Sequence, residues 1–293
     1  MHDLIQVLLD GIVLGGFYAL AAQGLSLIFG IMRIVNLTHG EFLILGAYLA
    51  WAAREYLGID PLLALPLLIM IGFACGWLVC RALIIPVAHR HELMPLLVTF
   101  GLAGVIQGVL TVAFTATPKL TRAAYSDSVL SLFGWRVSAA NGIMLVGAII
   151  LLFLLSLFVN RTKLGKAMKA VAQNPTAARI VGIGVTRVQC AAFGVGTALA
   201  FAAGGLFSAS QGFYPFMGAL FTLKAFVIVV LGGGGRLSGT LVAAMFIGLI
   251  ESVLSGYVPE IGTSLGTAAA FILVVAVLVI RPQGISRLGA AKA

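Results

Sequence analysis

The sequence predicts an all-α, polytopic integral membrane protein, folded as a single helical bundle over residues 1–293. Its residues are 61% hydrophobic and only 9% charged, with a mean hydropathy of +1.14, whereas a soluble domain carries roughly a quarter charged residues. Uncharged stretches recur that reach the roughly 20 residues a membrane-spanning helix requires. These stretches do not alternate in polarity as the strands of a membrane barrel do.

Nine apolar segments follow one another along the chain. They cover residues 5–32, 37–53, 61–80, 93–117, 137–160, 188–212, 217–232, 237–256 and 264–280. The segments 37–53 and 217–232 are short, and the second contains Lys224 and runs into four glycines. Helices that are re-entrant or broken are tolerated where their backbone is buried in protein or lines a cavity. The sequence therefore predicts eight or nine transmembrane helices, one or two of them re-entrant or broken.

A basic island, residues 161–187, fixes the expected orientation. It contains six Lys or Arg residues and no Asp or Glu, between uncharged stretches of 24 residues before it and 36 after it. Basic loops favour the cytoplasmic side of a membrane. With the island inside, the nine segments place thirteen basic residues inside and four outside. We therefore expect the N-terminus outside and the C-terminus in the cytoplasm.

The first part of the island has the pattern of an amphipathic helix. Lysines recur every three residues from Lys163 to Lys169, and Leu164, Met168 and Val171 fall on the opposite face. Such a helix lies at a membrane interface, with its apolar face inward.

The second part of the island predicts a shorter helix. Asn174 and Pro175 are typical of an N-cap and a first helical position, residues 176–181 would be the body, and Gly182 would end it. A helix this short is not stable alone in water, so it needs a surface to pack on. Either it packs on its own bundle, or it docks a cytoplasmic protein.

Several polar residues fall within the apolar segments, where ionisable groups are costly and usually face the bundle interior or a water-filled path. They either form hydrogen bonds between helices or line a translocation path. A Glu251–Lys224 pair would neutralise both charges. The possible lining residues are Gln23, Asn36, His39, Glu41, Gln107, Lys224 and Glu251.

Thirty-six glycines include several small-xxx-small pairs, which allow helix backbones to approach closely in lipid. They predict a bundle with several tight helix crossings. The pairs are Gly11/Gly15, Gly72/Gly76, Gly104/Gly108 and Gly262/Gly266.

Other functional classes are disfavoured. The glycine run 232–235 lacks the lysine and hydroxyl of a phosphate-binding loop, so we interpret it as a tight turn. The three cysteines form neither a disulfide framework nor a metal-ligand pattern. The net charge of +9 lies in the loops, where orientation explains it without nucleic acid. We expect no catalytic residue, no metal and no cofactor bound by this chain.

Several stretches resemble the LivH-type permeases, the membrane subunits of branched-chain amino acid ABC importers. Residues 16–20, 24–30, 36–42 and 46–48 resemble the N-terminal signature of that family. Gly165, Asn174-Pro175, Ala177-Ala178 and Gly182-Ile183 resemble its cytoplasmic loop, and the stretch from Ala225 to Gly239 resembles its late turn. Thr38 stands where alanine is common, and Arg236 and Ser238 stand where serine and proline are usual.

The resemblance implies one permease subunit of an ATP-driven importer in a bacterial inner membrane, working by alternating access. Its partners would be a second, LivM-type permease, two cytoplasmic ATPases that bind ATP and Mg, and a periplasmic solute-binding protein. The island would be the coupling loop to the ATPases. The coupling residues would be Asn174, Pro175, Thr176, Ala177, Ala178, Arg179 and Gly182.

Other solutes than branched-chain amino acids, and other energy sources than ATP, remain as alternative interpretations of the sequence. Relatives of this family carry urea, short amides and aromatic acids as well as leucine, isoleucine and valine. A secondary carrier driven by an ion gradient would use Glu251 or Glu41 as its coupling site. A passive channel for a small polar solute such as urea would need neither ATP nor a partner.

Overall fold

The computed structural model describes residues 2–257, except 89, 91, 92, 127, 133 and 134, together with residues 268 and 272. Its longer helices are α1 (His2–Met32), α2 (His39–Leu57), α3 (Pro61–Val79), α5 (Met94–Phe114), α6 (Ala139–Arg161), α9 (Val185–Ser208), α10 (Met217–Leu231) and α11 (Leu237–Tyr257). The shorter helices are α4 (Ile85–Ala88), α7 (Lys163–Gln173) and α8 (Pro175–Ile180). Strands β1 (Val129–Leu132) and β2 (Trp135–Ser138) pair as an antiparallel hairpin.

The structure confirms a polytopic helical bundle, to which the hairpin is a small addition. Within the described residues, six helical stretches are long and apolar enough to cross a membrane: Leu4–Met32, Pro61–Ala88, Met94–Phe114, Ala139–Arg161, Val185–Ser208 and Leu237–Tyr257. The third predicted segment, 61–80, extends further, because α3 continues through a π-helical turn (Cys80–Ile84) into α4. The predicted segment 264–280 lies outside the described residues.

The segment predicted as 188–212 forms a helix that ends earlier, at Ser208. Two loop amides, those of Ser210 and Gln211, donate to the Phe207 carbonyl, and the Thr121 amide donates to the Ser208 carbonyl. Carbonyls at a helix end have no partner within the helix. The loop supplies those partners here, so the chain leaves the helix while still apolar.

The bundle has two ends. The island face carries the basic island, between the end of α6 and the start of α9. The opposite end, the hairpin face, carries the hairpin and neighbouring loops, in which Lys119 and Phe213 exchange two backbone hydrogen bonds of 2.8 Å. Beside them the Tyr125 hydroxyl donates to Asp60 at 3.4 Å, and burial together with that carboxylate raises the pKa of Tyr125 well above its usual value.

Helix α9 forms the centre of the bundle. It is buried along most of its length and packs against α1, α2 and α3. Helix α5, in contrast, has few buried residues, and Val112 is 88% exposed. An apolar surface of this kind suits lipid or a neighbouring membrane subunit.

Helices α2 and α10 both begin inside the bundle. The His39 Nε2–H donates to the Ala21 carbonyl at 2.7 Å, and Ala21 lies about 16 Å from the end of α1 at Met32 by helical rise. Helix α10 has 15 residues, about 22 Å, which is shorter than the roughly 30 Å of a bilayer core. Both helices therefore begin within the depth of the bundle, as broken or re-entrant helices do.

Candidate solute path and coupling surface

The first turns of α2 and α10 meet in a helix-start junction. The Gly40 amide donates to Thr222 Oγ1 at 2.8 Å, and that hydroxyl donates to the Leu37 carbonyl at 3.2 Å. Thr38 Oγ1 donates to the Thr99 carbonyl of α5 at 2.7 Å. Helix starts leave amides without partners inside the helix, so the Thr222 hydroxyl supplies a partner for one such amide at the start of α2.

Two ionisable side chains lie in this junction. His39 is 1% exposed and Glu41 is 2% exposed. The Glu41 carboxylate lies against Gly218, where a β-carbon would come within 2.3 Å of it, so only glycine leaves room there. Glu41 Oε2 and His39 Nδ1 have no hydrogen-bond partner among the described residues.

A second polar group lies on three different helices. Lys224 Nζ of α10 donates to Glu251 Oε1 of α11 at 2.7 Å and to the Tyr18 hydroxyl of α1 at 2.6 Å. The Tyr18 hydroxyl in turn donates to Glu251 Oε2 at 2.9 Å. The three groups close a triangle in which both charges are paired, which is how a membrane interior tolerates them. We call this group the charged triad.

The charged triad borders a cavity of about 840 Å³, which is within the range of about 300–1,000 Å³ typical of small-molecule sites. Asp10, Asn141, Gln211 and Ser255 also line it. Asp10, Asn141 and Ser255 lie toward the hairpin-face ends of their helices, and Gln211 lies in the loop that follows α9. The cavity therefore extends from the hairpin face down to the triad.

The walls of the cavity are mainly aromatic and aliphatic. Phe17 stacks on Phe207 with ring centroids 5.0 Å apart, and Phe221 meets both rings edge-on at 5.6 and 5.2 Å. Met144 and Leu220 complete this side. The cavity thus combines the paired charges of the triad, and Asp10 nearer the hairpin face, with an apolar wall.

The island forms the two helices that its sequence predicts. Met168 and Val171 of α7 are each 1% exposed, and Lys163, Lys166 and Lys169 are exposed on the other side. Gly165 lies directly on the end of α6, where a β-carbon would come within 2.5 Å of the Val159 backbone. Helix α7 is therefore fixed to the bundle.

Helix α8 projects from this support. Asn174 Oδ1 accepts from the amides of Thr176 and Ala177 at 3.0 Å each, as an N-cap, and Gly182 follows the helix with a φ of +83°. Ala178 is buried, but Ile180 and Val181 are 82% and 75% exposed. Adjacent exposed apolar side chains surrounded by polar residues are a feature of interaction sites.

Comparison with known proteins agrees with this architecture. Residues 7–280 match the family described as the branched-chain amino acid transport system, permease component. The chain belongs to this permease family. LivH of Salmonella typhimurium, a high-affinity branched-chain amino acid transport system permease protein, is 28% identical to the permease described here, over 96% of this chain and 94% of LivH.

Two further relatives have the same description. BraD of Pseudomonas aeruginosa is 29% identical, over 97% of this chain and 96% of BraD. LivM of Salmonella typhimurium is 28% identical, over 92% of this chain and 67% of LivM. These relatives are transport permeases and not enzymes, and they favour neither the ion-gradient carrier nor the passive channel. No solved structure matches the permease.

The structure separates the possible lining residues into three places. Lys224 and Glu251 pair at the cavity, as the sequence suggested. Gln23, which donates to the Leu237 carbonyl, and Asn36, His39 and Glu41 are buried among α1, α2 and their neighbours. Gln107 is half-buried on α5 and is not among the described residues that line the cavity.

Sequence reasoning missed Tyr18 as a candidate site residue. Tyr18 lies in the middle of α1, within a run of apolar residues, and its hydroxyl contacts both charges. A phenolic hydroxyl at that depth was a signal, because a buried tyrosine usually finds a polar partner. The aromatic residues of the cavity wall gave no such signal, since they cannot be told from core residues in an apolar helix.

Proposed function

We propose that this permease is one of two membrane subunits of an ATP-driven importer of branched-chain or related hydrophobic amino acids. The relatives are named as permeases of branched-chain amino acid transport systems. Salmonella typhimurium has both a LivH and a LivM of this description, and both are similar to this chain. A permease partner of the LivM type is therefore the expected neighbour in the membrane.

The observation that carries the proposed energy coupling is the exposed apolar tip of α8. Ile180 and Val181 lie in water on the basic island, which the positive-inside bias assigns to the cytoplasm of a bacterial inner membrane. A pair of cytoplasmic ATPases, holding ATP and Mg, would cover this tip. The opposite face, where the cavity opens, would receive solute from a periplasmic binding protein.

The connection from α8 into the bundle is short. The Ile183 amide donates to the Ala178 carbonyl at 3.0 Å, and α9 begins two residues later, at Val185. Because α9 is the central helix, a displacement of α8 would be passed to α1, α2 and α3 together. Closure of the ATPases on ATP would thus switch the bundle between outward-facing and inward-facing states, which is alternating access.

Charge reversal at the tip tests this coupling. We expect Arg179→Glu and Ile180→Asp each to weaken ATPase docking by about 2 kcal/mol, roughly 30-fold, because both place a negative charge in the contact. The measurement is ATP-driven uptake of leucine by the complete importer in liposomes, with ATP hydrolysis and co-purification of the ATPases recorded in parallel. Both variants should remain in the membrane and fail to couple hydrolysis to uptake.

Lys163→Glu is the matched control. It makes the same charge reversal as Arg179→Glu on an exposed position of the island, but at the first residue of α7, away from the α8 tip. We expect near-normal uptake, since a negative residue also suits a helix N-terminus. Equal uptake in the Arg179, Ile180 and Lys163 variants would contradict the docking role of α8.

A further inference from the structure

The charged triad lies at a cavity wall and not in a sealed core. The Lys224 and Glu251 side chains are 14% and 9% exposed, and both line the cavity with Tyr18. Full enclosure would strengthen the attraction within the pair, but it would also add the cost of removing both charges from water. Here one side of the pair is left open to an incoming molecule.

The geometry of the triad matches the head group of an α-amino acid. Such a solute is a zwitterion, with an ammonium and a carboxylate on neighbouring atoms. Glu251 can accept hydrogen bonds from an ammonium group. Lys224 and the Tyr18 hydroxyl can donate to a carboxylate.

Charge balance favours this solute class over others. Without solute, Lys224 and Glu251 neutralise each other at 2.7 Å. A bound zwitterion can replace the Lys224–Glu251 ion pair with two new ion pairs, one to each protein charge. Both with and without solute, the two protein charges therefore have partners in the low-dielectric interior. A solute with only a carboxylate or only an amine would leave one of the two protein charges without a partner, and sites built in this way discriminate strongly.

We propose that Lys224, Glu251 and Tyr18 form a binding site in the permease for the head group of a zwitterionic α-amino acid, whose apolar side chain rests on the wall of Phe17, Phe207 and Phe221. The proposal rests on the function proposed above, and it adds the chemistry by which the membrane subunit itself recognises its solute. An uncharged amide or urea does not fit this site.

Direct binding to the purified full-length permease tests the proposal without the ATPases. The probe is radiolabelled L-leucine, with three competitors: unlabelled leucine, 4-methylpentanoate, which lacks the ammonium, and 3-methylbutylamine, which lacks the carboxylate. We expect leucine to compete at least 100-fold better than either analogue. Lys224→Met, Glu251→Gln and the double variant should each reduce leucine binding at least 100-fold, and Tyr18→Phe should reduce it about tenfold.

The double variant separates recognition from a structural role. It removes both members of the ion pair together, so it should fold, as gel filtration and circular dichroism would report, and yet not bind leucine. A folded double variant that binds leucine like the wild type would overturn the proposal. Thr111→Val, which removes a hydroxyl of α5 that bonds to its own helix at Gln107, is the control expected to bind normally.

A second panel distinguishes this proposal from the proposed function. Alanine and phenylalanine carry the same head group as leucine, while urea and acetamide carry no charge. Binding of any of these amino acids, with loss in the double variant, supports the head-group site even if the complete importer does not transport leucine. Binding of urea or acetamide alone, or of no amino acid at millimolar concentration, would overturn it.

Discussion

Replacing Gly204 with alanine is expected to destabilise the permease more than most substitutions of its size. Gly204 of α9 lies directly on α2, where a β-carbon would come within 1.8 Å of the Leu43 carbonyl oxygen. The added β-carbon is fixed by its own backbone and meets the backbone of α2, so no side-chain rotation can relieve the clash. Overpacking typically costs about 1–3 kcal/mol, and a backbone contact this close is expected to cost at least the upper value. Thermal unfolding of the purified protein in detergent measures the effect.

Gly108→Ala provides the matched control for this prediction. Gly108 is also an interior glycine of an apolar helix, but a β-carbon there meets nothing within 4 Å. Alanine is intrinsically better in a helix than glycine by about 1 kcal/mol, so stability should be unchanged or slightly higher. Similar unfolding midpoints for both variants would show that α9 and α2 are not in the close contact described.

Removing one member of the charged triad is expected to have the second large effect. Lys224→Met removes the cation that pairs with Glu251, whose side chain is 9% exposed. Breaking a buried ion pair by removing one partner costs about 3–5 kcal/mol. The free energy of unfolding in a denaturant titration should fall by that amount, and Glu251→Gln should give a similar loss.

The double variant Lys224→Met/Glu251→Gln should recover most of this stability. Replacing both members of a buried pair is often neutral, because no charge remains without a partner, and the Tyr18 hydroxyl can still donate to the new amide. If the stability loss of the double variant equalled the sum of the losses of the two single variants, the pairing at 2.7 Å would be contradicted. This stability measurement is independent of whether the triad binds a solute.

Local patterns were sufficient to predict the elements of the fold. Each of the signals used depends on residues that are close together in the chain. These signals are the apolar segments, the capping residues Asn174 and Pro175, and the three-residue spacing of lysines in α7. The structure follows them closely. The ends of helices were less predictable: α9 ends at Ser208 because a distant segment, containing Thr121, supplies a hydrogen bond there.

The candidate site was predictable only in part. Lys224 and Glu251 were recognisable because an ionisable residue in an apolar helix requires a partner, and few were available. Which of the other polar residues face the cavity depends on how α1, α6, α10 and α11 are rotated against each other. Gln107 and Glu41 have the same sequence signature as Glu251, yet neither is among the described residues that line the cavity.

The glycine pairs also separate what the sequence pattern predicts from what the packing of helices decides. By sequence, Gly72/Gly76 and Gly104/Gly108 are equivalent. Gly72 and Gly76 of α3 pack closely against α9, whereas a β-carbon added at Gly104 or Gly108 would meet nothing within 4 Å. Gly11 and Gly15 pack on α11, and Gly262/Gly266 lies outside the described residues.

The sequence by itself determined that this protein is a helical membrane protein with a basic island of two short helices, because hydropathy, charge bias and capping are local properties. Only the tertiary structure decided that α2 and α10 begin against each other inside the bundle, and that Tyr18 joins Lys224 and Glu251. These contacts join residues more than 180 positions apart in the case of Gly40 and Thr222, and more than 230 in the case of Tyr18 and Glu251. No local pattern encodes them, since they depend on the packing of whole helices.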